Sequence, residues 1–420
     1  MEASGNDSPL DCEIKSNNVG EFVAKRKGAS DDVTIQTVTA TNVPVKLDQH
    51  WHTSFVVKDS DQSKSFKDLV TEYLHPALVS IARAVDQCVL GQVYQFLPNS
   101  AGQLGALTKN NAEDYILETR EILNVNKAYD FGRNMILTPK AETKVLGNSN
   151  FLQAYAVGDN GTALQEAVLG TKLGFAFFMA QNASYVAPGN TTVAGAINNA
   201  AGYAAGAVTF TVDGLSAAIS NGSWITIAGD DTPLRVVSTV GGATPTSITV
   251  STGLKRAVAD NAVVTIYTPG AVNFGAGYAV GYDKEIVING FTVAPRVGQM
   301  VTFGTSTTSP IYSIVAVNGL TGITLDRPLE AALADTNKVN IGPAGSYNFA
   351  FHRNALALVS RPLAMPITGT GARAGRADLD GFSVRVVMTY DGKSQGTLVT
   401  VDTLMGVKVL DQNLGAVMYG

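Results

Sequence analysis

Cysteine, histidine and charge are all scarce in this 420-residue chain, and each scarcity removes a class of function. The two cysteines, Cys12 and Cys88, stand far apart, with no C-x-x-C and no histidine cluster beside them. Such a pair supplies neither a disulfide framework nor a zinc site, and it fits reduced thiols in a cytosol. Four histidines leave few candidates for general-base chemistry. Charged residues make up 15% of the chain, against about 25% in ordinary soluble proteins. Much of the surface must therefore be uncharged, which suits burial against partner subunits. The net charge of −5 argues against a surface built to grip phosphate, so any DNA contact is expected to be non-specific.

Long apolar runs are missing too. "LGFAFFMAQN" is too short for a membrane helix, and "AGAINNAAGYAAGAV" carries two asparagines. The start, "MEASGNDSPLDCE", has neither the basic region nor the apolar core of a signal peptide, so the expectation is a protein that is not exported and does not meet a membrane. There is no P-loop, no G-x-S-x-G elbow and no H-E-x-x-H. "GAGYAVG" (275–281) and "GTGARAG" (369–375) are one residue longer than the dinucleotide fingerprint and read as loops. "HWH" at 50–52 puts two imidazoles on one face of a strand, but no third ligand accompanies them, so no metal is expected. No cofactor is implied.

What is present is secondary structure in a definite order. Residues 10–58 alternate in strand fashion around the charged "AKRKGASDD", which reads as the tip of a long hairpin. A two-stranded ribbon is marginal alone, so this arm should lie on something else. Residues 63–97 space Phe66, Leu69, Tyr73, Leu78, Ile81, Val85 and Val89 as one long amphipathic helix, which Pro76 should kink or break. The span 111–186 mixes short helices with short strands. From 207 the texture turns β-rich and repeats. "VDG-x7-GSWITIAG" aligns with "ING-x7-GQMVTFGT", matching Gly214 with Gly290 and Gly222 with Gly298, and further on Pro233 with Pro310 and Asp260 with Asp335. Two small barrels or sandwiches in tandem are expected, inserted into a host that resumes after 345.

In "FHRNALALVSRPLAMP" (351–366), His352, Arg353 and Asn354 have no nucleophile or second base nearby. The stretch reads as architecture: a short helix whose core residues are Phe351, Leu356 and Leu358, with His352 and its neighbours as capping or interface groups.

The order of hairpin, long helix, α+β domain, inserted β modules, α+β return and β tail resembles the major capsid protein of tailed bacteriophages, the Hong Kong 97-like fold, in its subgroup with an inserted β-barrel domain. "VPVKLDQHWHTSFVVKDSD" resembles the return strand of that family's extended loop running into the spine helix. "TKLGFAFFMAQN" resembles the strand before the insertion, "FHRNALALVSRPL" the return after it, and "DTLMGVKVLDQNLGAVM" the closing strands. The resemblance implies seven segments. They are an extended loop (1–60) with an N-terminal arm that is short or missing, a peripheral domain with the spine helix (61–110), and the axial domain (111–206). Two inserted modules (207–270 and 271–345), an axial return (346–380) and closing strands (381–420) follow. It also implies a non-enzymatic shell subunit that forms hexamers and pentamers in a virion assembled in the host bacterial cytoplasm. A scaffolding protein and a portal would be its partners, with room for a decoration protein. The short charged clusters, Lys25, Arg26, Lys27, Asp31 and Asp32 at the loop tip and Arg373 and Arg376 downstream, are then candidate contacts between subunits. Two other readings exist: a secreted or surface carbohydrate-binding protein using the β modules, and a metal-dependent hydrolase using His50 and His52.

Overall fold

The computed structural model describes residues 11–15, 42–64, 68–152, 166–183, 185–186, 192–215, 217–367, 369, 371–379 and 382–420. The chain divides into two compact units, Met1–Ala82 with Arg353–Gln412, and Arg83–His352 with Asn413–Gly420. The class is α+β. Among the described residues no helix is long and apolar enough to cross a membrane.

The first unit is organised by its longest strand, Gly396–Val409, whose small and β-branched residues suit a pleated surface. Gln49–Lys58 pairs with it antiparallel over its full length, from Gln49↔Met405 to Lys58↔Gly396. Phe382–Asp391 and Leu356–Arg361 also pair with it, and Arg373–Leu379 extends the sheet beyond Phe382–Asp391. Strands Asp11–Lys15 and Asn42–Lys46 form the antiparallel legs of the expected hairpin. Its expected tip, with Lys25, Arg26, Lys27, Asp31 and Asp32, lies outside the described residues. At the root, Val45 and Leu47 are buried against Val359 of this unit.

Helix Leu69–Gly91 starts at Asp68, whose carboxylate accepts from the Val70 backbone N–H at 3.1 Å and the Thr71 hydroxyl at 2.9 Å. Ala77, Ile81, Val85 and Cys88 form its buried stripe. The break expected at Pro76 does not occur: one helix runs through it, with His75 and Pro76 on its exposed side. Thr53 and Ser80 share a 2.9 Å hydroxyl bond, and Phe55 meets Tyr73 edge-on at 6.0 Å, so strand Gln49–Lys58 and the first half of this helix are held together.

In the second unit a mixed sheet runs in the order Ser100–Ala101, Gly415–Tyr419, Gly345–His352, Arg133–Leu137, Phe175–Met179, Thr171–Lys172. Helices Ala112–Val125 and Pro139–Leu146 contribute Ile116, Leu123 and Val145 to the core on one face, with Met135, Leu137, Phe175, Phe177 and Met418. The second helix begins with Thr138 as its cap and Pro139 in its first turn. On the other face Phe96 packs on Phe349 and Tyr94 on Tyr347.

The expected short helix around 351–358 is instead strand, turn and strand: Gly345–His352, then Leu356–Arg361. Period-2 alternation therefore decides which side chains are inside. Val359 is buried, Leu358 is 45% exposed, and Leu356 and Phe351 are only partly covered. His352, 1% exposed, and Ala355 are buried as well.

Both inserted modules are closed six-stranded barrels of one topology. The first contains Thr192–Ile197, so it begins at 192 rather than at 207. "TVAGAI" hides its alternation because Gly195 carries no side chain, and a Cβ there would lie 2.6 Å from Leu215 Cγ. The repeat extends upstream as well: "AGYAAG" (201–206) matches "AGYAVG" (276–281). Asn199 N–H donates to Asp260 at 2.9 Å and Phe274 N–H to Asp335 at 2.9 Å. Tyr203 and Tyr278 accept at their hydroxyls from Thr211 N–H and Val287 N–H, both at 2.8 Å. Gly202 and Gly277 adopt φ of +64° and +65°, and a Cβ would come within 2.3 and 2.5 Å of the carbonyl oxygens of Val258 and Leu333. Pro233 and Pro310, matched in sequence, fall one position out of step. Trp224 pairs with Arg235 where Met300 pairs with Ser313, because six residues separate Ile227 from Leu234 and eight separate Phe303 from Tyr312. The chain leaves the host at Val186 and returns at Gly345, which are register partners.

Candidate functional site

The residues that sequence reasoning weighed for chemistry are not brought together. His50 and His52 are exposed on one strand with ring centroids 6.5 Å apart, and His50 Nε2 lies 3.4 Å from Asp402. Asp402 is already held by Arg385, which contacts both carboxylate oxygens. Among the described residues no group of three His, Cys, Asp or Glu could hold a metal. "GAGYAVG" is a turn of the second barrel, and "GTGARAG" runs into strand Arg373–Leu379, so neither opens a helix that could receive a phosphate.

His352 lies under two rings, Tyr129 at 5.4 Å and Phe131 at 5.8 Å between centroids. Its register partner Arg133 donates to the carbonyls of Tyr129 at 2.6 Å and Ala128 at 2.7 Å. Burial and the neighbouring Arg120 charge both push the Arg133 guanidinium down. These contacts hold the exposed rings of Tyr129 and Phe131 in place. His352 is thus a support and not a cap. A cavity of about 340 Å³ is walled by Gln87, Lys140, Gln181, Asn182, Val297 and Ile314. Ser313 supplies the one hydroxyl in this wall of amides, one lysine and aliphatic groups, and among the described residues no histidine or carboxylate lines it.

Surfaces remain as the candidates. Arg373 and Arg376 are exposed on Arg373–Leu379, the last strand of its sheet, where Arg376 pairs with Asp378 at 2.9 Å. Charge on an edge strand discourages indiscriminate pairing there. Large apolar side chains stand exposed on several elements: Tyr73, Leu78 and Val79 on the long helix, Val125 at the end of helix Ala112–Val125 with Tyr129 and Phe131 after it, and Phe178 and Met179 on a sheet strand.

Sequence reading missed how the barrels are fixed. Arg256 of the first barrel contacts both carboxylate oxygens of Glu118 at 3.0 and 3.1 Å and donates to the Gly102 carbonyl at 2.8 Å. Lys255, its ammonium pushed down by burial, donates to the Pro98 carbonyl at 2.9 Å. From the second barrel, Asp326 accepts from Gln92 at 2.9 Å, the Ile311 carbonyl accepts from Gln95 at 2.8 Å, and the Gly298 carbonyl accepts from the Tyr94 hydroxyl. Between barrels, Arg235 donates to the carbonyls of Ser306, Thr307 and Ser309, and burial pushes it down to about 10. One trace lies in the repeat itself: Lys255 and Arg256 stand where the second copy has Glu330 and Ala331, a divergence that packing within a barrel does not require.

No family model and no curated protein matches the sequence. Solved phage structures are similar over nearly the whole chain. A structure from Mycobacterium phage Che8 is 12% identical, covering 98% of this chain and 85% of that one, with a TM-score of 0.45. The capsid structure of the Cyanophage P-SCSP1u is 10% identical over 98% and 84%, at 0.46. The asymmetric unit of the bacteriophage PhiM1 mature capsid is 11% identical over 98% and 82%, at 0.42.

Proposed function

We propose that this chain is the shell subunit of a tailed bacteriophage head, and that its work is self-association around packaged double-stranded DNA. The observation that carries the reading is the combination of 15% charged residues with large apolar side chains left exposed on helix, sheet and loop elements. Scattered apolar exposure is ordinary, but rigid aromatic pairs such as Tyr129 and Phe131, 5.5 Å apart, are what interface centres use. The order of elements, with a paired hairpin root, a long helix, a mixed sheet and two barrels between adjacent strands of that sheet, supports the same reading. Subunits gather as hexamers and pentamers of a closed shell, with scaffolding protein and portal as assembly partners. Packaged DNA is met without sequence preference. The loop-tip cluster, Lys25 to Asp32, and the edge-strand pair, Arg373 and Arg376, serve contacts between subunits. The chain performs no catalysis. Electron microscopy of the purified protein tests the proposal: closed icosahedral particles are expected, and a protein that stays monomeric at every concentration and in the presence of scaffolding partner would overturn it.

A further inference from the structure

The two barrels share one plan, so a position where one fills its interior and the other does not is informative. Before strand Met300–Phe303 the second barrel places Gln299, 1% exposed, whose Oε1 accepts a 2.8 Å hydrogen bond from the Arg296 backbone N–H. In the first barrel Ser223, 0% exposed, stands at the position of Gln299, and Ser220 at that of Arg296. The backbone frame is the same in both. Ser223 N–H donates to the Ser220 carbonyl and Gln299 N–H to the Arg296 carbonyl, each at 3.2 Å. The Ser223 carbonyl accepts from Val236 N–H at 3.0 Å, and the Gln299 carbonyl accepts from Ile314 N–H at 2.9 Å. Only the side chain differs, and the serine is shorter by a carboxamide and its stem.

Beside Ser223 and Ser220 lies a partly open cavity of about 60 Å³, walled also by Val193, Ile219, Ile266 and Pro269. The Ser223 hydroxyl makes no hydrogen bond among the described residues. A buried hydroxyl in that state carries a desolvation penalty that a ligand could relieve.

We propose that this cavity in the first barrel is a receptor for a carboxamide on a short aliphatic stem, supplied from outside the barrel and standing in for the group that Gln299 supplies within the second. The carboxamide oxygen accepts from Ser220 N–H, as that of Gln299 does from Arg296 N–H, and its amide hydrogens reach the Ser223 hydroxyl. The stem packs between Ile219 and Ile266. Among the described residues no charged side chain lines the cavity, so a carboxylate would be desolvated without a counter-charge and the neutral carboxamide is selected. Barrel rims are a recurrent place for such small sites. The carboxamide has two sources, an Asn or Gln side chain of another copy of this chain or a small free amide; the first rests on the shell reading.

The test titrates the full-length protein with propionamide while following the backbone amides of Ser220 and Ser223 by nuclear magnetic resonance. A saturable shift is expected, weaker with propionate. Ser223→Gln, which supplies the carboxamide from within, should fold and lose the titration. No saturable shift in the wild type, or an equal one in Ser223→Gln, overturns the proposal. Assembly separates the two sources. If another copy donates the side chain, folded Ser223→Gln protein forms particles with a critical concentration raised by about tenfold or more. If Ser223→Gln assembles like the wild type while the wild type binds propionamide, the site takes a free amide. Failure of the wild type to assemble, with propionamide binding intact, counts against the shell reading and leaves the receptor standing.

Discussion

Asp326 is buried in the second barrel with three donors around its carboxylate: Ser313 N–H at 2.8 Å, Gln92 at 2.9 Å and Arg327 at 3.1 Å. Burial pushes its carboxyl up, and Arg327 opposes that. Removing the carboxylate strands three buried donors, although Glu330 still faces Arg327 at 2.8 Å. Asp326→Ala should therefore lose about 3 kcal/mol, the low end of what breaking a buried pair costs. Arg376→Ala, at an exposed pair, should stay within about 0.5 kcal/mol. Urea midpoints of the two variants provide the comparison. The return segment offers a second ranking. A volume argument from sequence would make Phe351 the critical side chain, but Phe351 is half-covered and stacks on Phe349, whereas His352 is enclosed by Tyr129 and Phe131. His352→Ala should cost roughly 2–4 kcal/mol and Phe351→Ala roughly 1–2 kcal/mol. Equal losses, or the reverse order, would show that burial does not rank these two sites.

Among the elements, the barrels were the most legible and their attachment the least. Their glycine spacing, the Asp260 and Asp335 match and the alternating strands are local signals, because each answers a local demand: a left-handed turn, a capped loop, a buried face. Strand Thr192–Ile197 escaped because Gly195 and its alanines leave no alternation to read. The short helix expected after 351 failed for a related reason, since "FHRNALAL" fits helical spacing as readily as two strand ends around a turn. The bonds from Arg256 to Glu118 and from Gln92 to Asp326 join residues far apart in sequence, where no periodicity reports them. Those same bonds alter an expectation about the insertion. Modules entered through small polar joints are natural candidates for removal, and Val186 and Gly345 do meet as register partners. Yet replacing 192–341 with a Gly/Ser linker would remove the barrel partners of Gln92, Tyr94, Gln95 and Glu118. The deletion should therefore aggregate or lose near-ultraviolet circular dichroism; a soluble, cooperatively melting deletion would show that the host stands alone. Within the barrels, Gly202→Ala and Gly277→Ala meet the same geometry, so each should lose more than about 1 kcal/mol, and by similar amounts. A large difference between them would mean that the two copies are not equivalent in energy.

For the whole molecule, the low charge makes a physical claim about how copies hold together. An assembly built on ion pairs weakens when salt shortens the screening length, from about 10 Å near 0.1 M to about 3 Å near 1 M. An assembly built on apolar burial does not; it gains about 25 cal/mol for each Å² removed from water, and it weakens on cooling. With 15% charged residues and aromatic and aliphatic side chains left in the open, this chain belongs to the second kind on the shell reading. The charged contacts proposed for Arg373 and Arg376 then set register and encounter rate more than final affinity. Light scattering of the purified protein should accordingly show a critical concentration for particle formation that is unchanged or lower at about 1 M NaCl than at about 0.1 M. The same measurement should give a higher value at about 4 °C than at about 25 °C. Arg373→Ala with Arg376→Ala should slow the approach to that end point more than it moves it. Particles that dissolve at high salt and persist in the cold would place the adhesion in ion pairs, and the exposed apolar side chains would then need another partner.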